Sequence, residues 1–276
     1  GLTMDSALAG ANHNVALGYN SLSGVTTGDS NIAIGRNTAS STTTGQSNIA
    51  IGSIQDTGSI NAALETNAVG SFNIAIGTGA LSTANENDND GTVAIGHLAC
   101  KVQAGTGGAQ FANATTAVGY KALTALTTGV GNLAVGYSTL ASITSGDGNT
   151  AVGYNAMGDT TGGTTAATSD ANTAIGFGAM SGDWADARTR RNTAVGVYTM
   201  NQVLNAALDN TVMGYTAGNI ITSGDSNVCI GAYAGNTITT GGNNVAIGKS
   251  TVTSAAGSTN QTVVGYATTG VADNSV

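Results

Sequence analysis

Proline is absent from this chain, and aromatic and charged residues are scarce, at 4% and 8%. So few large side chains exclude a thick globular core of Phe, Leu and Trp. Much of the apolar fraction is alanine, whose burial contributes little per residue. Two cysteines, Cys100 and Cys229, do not make a disulfide framework and read as small buried hydrophobes. Seven Lys and Arg stand against fifteen Asp and Glu, which leaves no electrostatic footprint for nucleic acid or an anionic membrane. No apolar run approaches the roughly 20 residues of a membrane helix. A mean hydropathy of +0.09 and recurring β-branched residues argue against disorder. The chain opens at Gly1 with no visible signal peptide. It stops at Asp273-Asn274-Ser275-Val276, where another copy of a recurring phrase would begin. The expectation is a segment of a longer or processed protein.

What the chain has in abundance is glycine, 42 residues, and repetition. "SNIAIG" stands at Ser30–Gly35 and again at Ser47–Gly52. It generalises to N-x-A-[IV]-G, whose last glycine recurs fourteen times from Gly18 to Gly265, with seven of thirteen spacings equal to 17 and the rest 18 to 25. A fixed period of this kind marks a repeat architecture. The undisturbed unit, as in "NVALGYNSLSGVTTGDS" (Asn14–Ser30), holds two β-favouring runs separated by glycine and closed by a Gly/Asp/Ser turn. It predicts an all-β, parallel β-roll or β-solenoid of about fourteen rungs with two short strands per rung, a rod on the order of 60 Å long. The chain reads as one repeat-built segment over 1–276, with regular rungs at 12–52 and 210–266 and loop-decorated rungs at 53–209.

In-register stacking accounts for the residue choices. The asparagine is expected to form a ladder of side-chain amides, and the glycine to permit a corner that a Cβ would obstruct. In the strand, x and Ile/Val share one face and alanine points to the other. A place that accepts almost only alanine (Val212, Cys229 and Val263 excepted) implies close approach by another surface. Two large aliphatic side chains per rung make a thin core, and burying a second face between chains helps offset the ordering entropy. An oligomer follows as the expectation, most simply a threefold one.

"NVAIG" at Asn244–Gly248, "SNIAIG" at Ser30 and Ser47, and "NSV" at Asn274 resemble the YadA-like head repeat of trimeric autotransporter adhesins. The "TTG" turns and "GY-x-AL" of Gly119–Leu123 look more like repeats of tailed-phage fibres. The resemblance covers essentially the whole chain. It implies a left-handed roll, an intertwined homotrimer and surface attachment, and supplies no catalytic residues. Longer rungs and frequent insertions favour the fibre form: an extracellular virion tail fibre that binds a host surface glycan or protein receptor. The passenger head of a bacterial adhesin and an ice-binding solenoid with Thr arrays (Thr42–Gly45, Thr237–Gly242) are the alternatives.

Specificity is expected where rungs are interrupted: at about Ser53–Phe72, Leu81–Gly91, Lys101–Ala114, Gly158–Ala171 and Gly182–Arg191. The last contains the one tryptophan, Trp184, with Asp183, Asp186, Arg188, Arg190 and Arg191. Trp stacks on sugar rings and Arg grips carboxylate or phosphate, so Asp183, Trp184, Arg188, Arg190 and Arg191 are the candidate glycan-binding residues. The competing reading is a self-paired Asp–Arg loop anchored by Trp184. Glu86, Asp88 and Asp90 resemble the start of a calcium loop, but the twelfth place holds His97 and not a bidentate Glu, so an acidic turn is the simpler reading. Asp29, Asp147 and Asp225 read as Asx turn formers. Tyr19, Tyr120, Tyr137, Tyr154, Tyr215 and Tyr266 are expected to stack as a ladder, with a sugar-binding track as the alternative. His97 occupies the Tyr place, where three copies meeting at an axis would be needed to hold a metal. Gly248-Lys249-Ser250 lacks the upstream glycine of a phosphate-binding loop, since Asn243 stands there. With no cofactor motif and no nucleophile–base grouping, no catalytic residue is expected.

Overall fold

The computed structural model describes residues 9–54, 61–83, 90–102, 114–158, 168–184 and 188–275. By their internal contacts the residues divide into two compact units, Gly1–Ser138 and Thr139–Val276. The first holds seven three-residue strands: β1 (Val15–Leu17), β2 (Ile32–Ile34), β3 (Ile49–Ile51), β4 (Ile74–Ile76), β5 (Val93–Ile95), β6 (Thr116–Val118) and β7 (Leu133–Val135). The second holds β8 (Thr150–Val152), β9 (Thr173–Ile175), β10 (Thr193–Val195), β11 (Thr211–Met213), β12 (Val228–Ile230), β13 (Val245–Ile247) and β14 (Thr262–Val264). Within each unit the strands lie parallel in sequence order and in repeat register, Ala33 beside Ala50 and Cys229 beside Ala246. Among the described residues there is no α-helix. The chain is an all-β solenoid in which each turn of the coil contributes one strand.

That count corrects one expectation. The second β-favouring run of each rung is not a strand. After the corner glycine, alternate residues adopt left-handed backbone conformations: Asn20 at φ 55° and Leu22 at φ 49°, Lys121 at 55° and Leu123 at 51°, Asn155 at 52° and Met157 at 47°. Such residues turn the chain instead of extending it. The signal was present in the residue type. Where the fourth place after the corner takes the left-handed conformation it holds Leu, Met, Ala, Cys or Gly (Leu140, Met180, Ala39, Cys100, Gly218), and β-branched residues avoid positive φ. In the last two rungs that place is Val252 and Thr269, which instead form a parallel bridge.

The two faces of the strand are also the reverse of the expectation. From β2 onward the middle alanines are fully buried in the single chain, Ala16 of the terminal rung being half-buried, whereas the flanking x and Ile/Val side chains are half-buried or exposed, as at β2 and β13. Alanine is small because it faces the chain's own narrow interior. Buried Leu22, Leu123, Leu140, Met157, Met180 and Met200 of the turn columns belong to the same core. The larger aliphatics point outward.

The asparagine ladder forms as expected and satisfies more groups than side chains alone. Asn31 Oδ1 accepts from both the backbone N–H and the Nδ2 of Asn48, at 3.0 and 3.1 Å. Asn31 Nδ2 donates to Asn14 Oδ1 at 3.2 Å and to the turn carbonyl of Gly45 at 2.8 Å. Every hydrogen-bonding site of this buried amide is filled, which a low-dielectric interior requires. The corner glycine behaves as expected too: at Gly35, φ is 131° and an added Cβ would lie 2.7 Å from the Gly52 carbonyl oxygen of the next rung.

Candidate functional site

Residues of the turn columns fall at constant distances from the corner glycine. Val25, Leu126, Ile143, Ile221 and Ile238 each stand seven places after it and are fully buried. In the two longer rungs from Gly176 and Gly196 the corresponding place is the eighth, occupied by Trp184 and Leu204, both at 0% exposure. Trp184 is therefore the core side chain of its rung, and its Nε1 donates to the Met180 carbonyl at 3.1 Å. A buried indole with its one donor satisfied offers no face to a sugar ring. This overturns Trp184 as a stacking platform and makes it the anchor of its loop.

The arginines around it are committed to neighbouring rungs. Arg188 pairs with Asp170 through Nη2 and donates through Nε to the Thr168 carbonyl at 2.9 Å. Arg191 grips Asp209 with two nitrogens, at 2.6 and 2.8 Å. That hydrogen bond, with the opposite charge, holds the Asp209 carboxyl below and the Arg191 guanidinium above their usual ranges. Arg190 bridges in parallel to Leu208, and its Nε is buried with no hydrogen-bond partner among the described residues. Asp183 is exposed. The five candidate glycan residues are thus divided between an interior anchor, Trp184, a half-buried Arg190, and an exposed set, Asp183, Arg188 and Arg191, whose two cations already hold aspartates. The pairs run from rung to rung and not within the loop. Asp186 lies outside the described residues.

Of the calcium candidates, Glu86 and Asp88 lie outside the described residues. Asp90 Oδ1 accepts the Ser71 N–H at 2.7 Å. The same contact recurs where Asp29 accepts from Asn12 at 2.6 Å, Asp225 from Leu208 at 2.8 Å, and Asp273 from Thr259 at 2.8 Å. These aspartates cap the preceding rung, seventeen or so residues away; for Asp29 and Asp225 the expectation was a local Asx turn.

The aromatic series lines the other end of the strand. In the first unit His97 stacks on Tyr120 and Tyr120 on Tyr137, with centroids 5.5 and 5.0 Å apart. In the second, Tyr154 stacks on Phe177 at 4.9 Å, whereas Tyr198 meets Phe177 edge-on and Tyr233 meets Tyr215 edge-on. Tyr198 and Tyr233 stand one place later than the others, which turns the ring. The stacked ladder is thus formed at Tyr120, Tyr137 and Tyr154, whereas Tyr215 has an edge-on contact and the exposed Tyr19 and Tyr266 lie under Arg36 and Lys249. The Thr arrays are also engaged: Thr42 donates to the Asn67 carbonyl at 2.9 Å, Thr237 to Thr253 at 3.2 Å, and Thr239 to Ala256 at 3.4 Å.

What remains on the surface as an extended feature is the outward strand face. Ile175 is 39% exposed, Met213 42% and Ile247 37%, with the aromatic border beside them. Compared with known proteins, the chain matches no family model and no curated protein.

Proposed function

We propose that this chain is a structural and receptor-binding segment of a trimeric fibre that attaches a virion to a host cell surface. In this reading three copies of a left-handed roll wind about one axis, and the outward aliphatic face of each strand is the surface they bury. The observation that supports it is that face. In each unit seven rungs repeat a pair of half-exposed or exposed aliphatic or Thr side chains in register, on a chain whose own interior is lined mainly by alanine and single Leu or Met columns. A contiguous apolar surface of this extent marks an interaction site. Attachment, in this reading, falls to the inserted loops.

Two measurements test it. Light scattering on the pure chain is expected to give three times the chain mass; a stable monomer at micromolar concentration contradicts the assembly. Labelled protein is expected to be retained on intact bacterial cells and lost from cells stripped of surface polysaccharide. Equal retention on stripped cells contradicts a glycan receptor and points to a protein one.

A further inference from the structure

Charge and aromatic character are separated across the outward face. The two places before the ladder position, which is Asn in most rungs and Thr92 or Ser275 at two of these, carry Asp29 and Asp90 in the first unit, and Asp147, Asp170, Asp209, Asp225 and Asp273 in the second. The two places after the corner glycine carry no Asp or Glu in any of fourteen rungs. They carry Tyr19, Arg36, Tyr120 and Lys121 in the first unit, and Tyr154, Phe177, Tyr215, Lys249 and Tyr266 in the second. The cations lie along the rings: Arg36 over Tyr19 at 6.0 Å, Lys121 over Tyr120 at 5.4 Å, and Lys249 over Tyr266 at 5.8 Å. Two arginines stand on the acidic border, Arg190 and Arg191; Arg191 is held by Asp209 and the nearby Arg188 by Asp170, and the Nε of Arg190 is buried. Each unit thus presents an apolar strip with an acidic border on one side and an aromatic, basic border on the other.

We infer that a second copy of this chain packs parallel to the first, with its acidic border seated on the aromatic and basic border of its neighbour. This rests on the self-assembling reading above and adds orientation and partner edges to it. The reason is symmetry. Rotation about an axis parallel to the stack of rungs sets unlike borders together at every contact. An antiparallel arrangement sets aspartate against aspartate and lysine against lysine, which like-charge repulsion disfavours. Tyr, with an apolar ring and a polar tip, suits the boundary between the buried strip and solvent.

The test is zero-length carbodiimide coupling on a mixture of isotopically light and heavy chains, read by mass spectrometry. Asp225 precedes β12 and Lys249 follows β13, so they lie on opposite borders, and only a link between a light and a heavy peptide is counted as joining two chains. The expected result is a mixed-isotope Lys249–Asp225 link in the assembled species. Lys249→Glu is expected to raise the concentration for half-assembly about tenfold, and Lys249→Glu with Asp225→Lys to restore it. An oligomer of unchanged mass whose mixed-isotope links never join these borders, or which ignores the charge swap, overturns the edge pairing and leaves self-assembly standing. A monomer overturns the assembly reading and this inference with it.

Discussion

Val212 occupies space that Gly218 leaves open: a Cβ on Gly218 would lie 3.0 Å from Val212 Cγ1 and 2.9 Å from Ile221 Cδ1. In most rungs the strand's middle residue is Ala and the fourth residue after the corner is Leu or Met. Here the volumes are exchanged. The neighbouring rung does the same, with Cys229 in the strand and Gly235 in the turn, where an added Cβ would collide with the Cys229 sulfur. Gly218 is at φ 51°, the conformation Leu123 adopts in its own rung, so only packing bars a larger side chain there.

Val212→Ala and Gly218→Leu are each expected to destabilise, by about 1–3 kcal/mol, through a cavity and through overpacking respectively. Together they rebuild the common rung. A urea double-mutant cycle is expected to show a coupling of at least about 1 kcal/mol in the restoring direction. Simple additivity would mean that the two side chains do not share the space.

Removing one member of the ladder strands its neighbours. Asn227 accepts from the N–H and Nδ2 of Asn244 and donates to Asn210 Oδ1 and the Gly241 carbonyl. Asn227→Ala is expected to cost about 2–4 kcal/mol, since several buried groups lose a partner. Asn227→Asp should be worse at pH 7, because a buried carboxylate then faces two acceptors. Its folded pKa is raised, so stability is expected to return as the pH falls and the group protonates. Denaturation midpoints at pH 7 and pH 4 check both; a pH-independent Asp variant would contradict the buried ladder.

Trp184 should behave as a core residue. Its fluorescence is expected to be blue-shifted and little quenched by iodide in the folded protein. Trp184→Ala is expected to cost about 3–5 kcal/mol and Trp184→Leu, matching Leu204 of the next rung, much less. Ready quenching in the folded state would return the indole to the surface.

Burial pushes the Cys229 thiol up to about 12. The thiol is expected to resist alkylation at pH 8 unless the protein is unfolded. A folded-state pKa above the unfolded value means the unfolded chain ionises first. Stability should therefore fall as the pH rises from about 9 towards 12, relative to Cys229→Ala. Rapid labelling of Cys229 in native buffer, or identical alkaline limbs, would contradict it.

The repeat made much of this fold legible in the sequence. Residues that match along the chain are neighbours in space, so the period alone located the strands, their parallel register, the ladder of Asn31 and Asn48, and the corner at Gly35. The candidate site was less legible. Trp184 looked exceptional because it is the one tryptophan in a charged insertion. Counting eight places from Gly176 would have put it in the column of Leu204.

Tertiary structure alone decided which strand face is the interior. Alternation separates Ala33 from Ile32 and Ile34, yet both faces are apolar, and nothing local says which one looks inward. The turn column packs against the middle residue of the strand, as the approach of Gly218 to Val212 and of Gly235 to Cys229 shows, so a rung with Leu or Met in that column has Ala in the strand and its larger aliphatics face outward. Closure of the coil set the run after each corner as a left-handed turn, because the chain must return to its starting column within one rung.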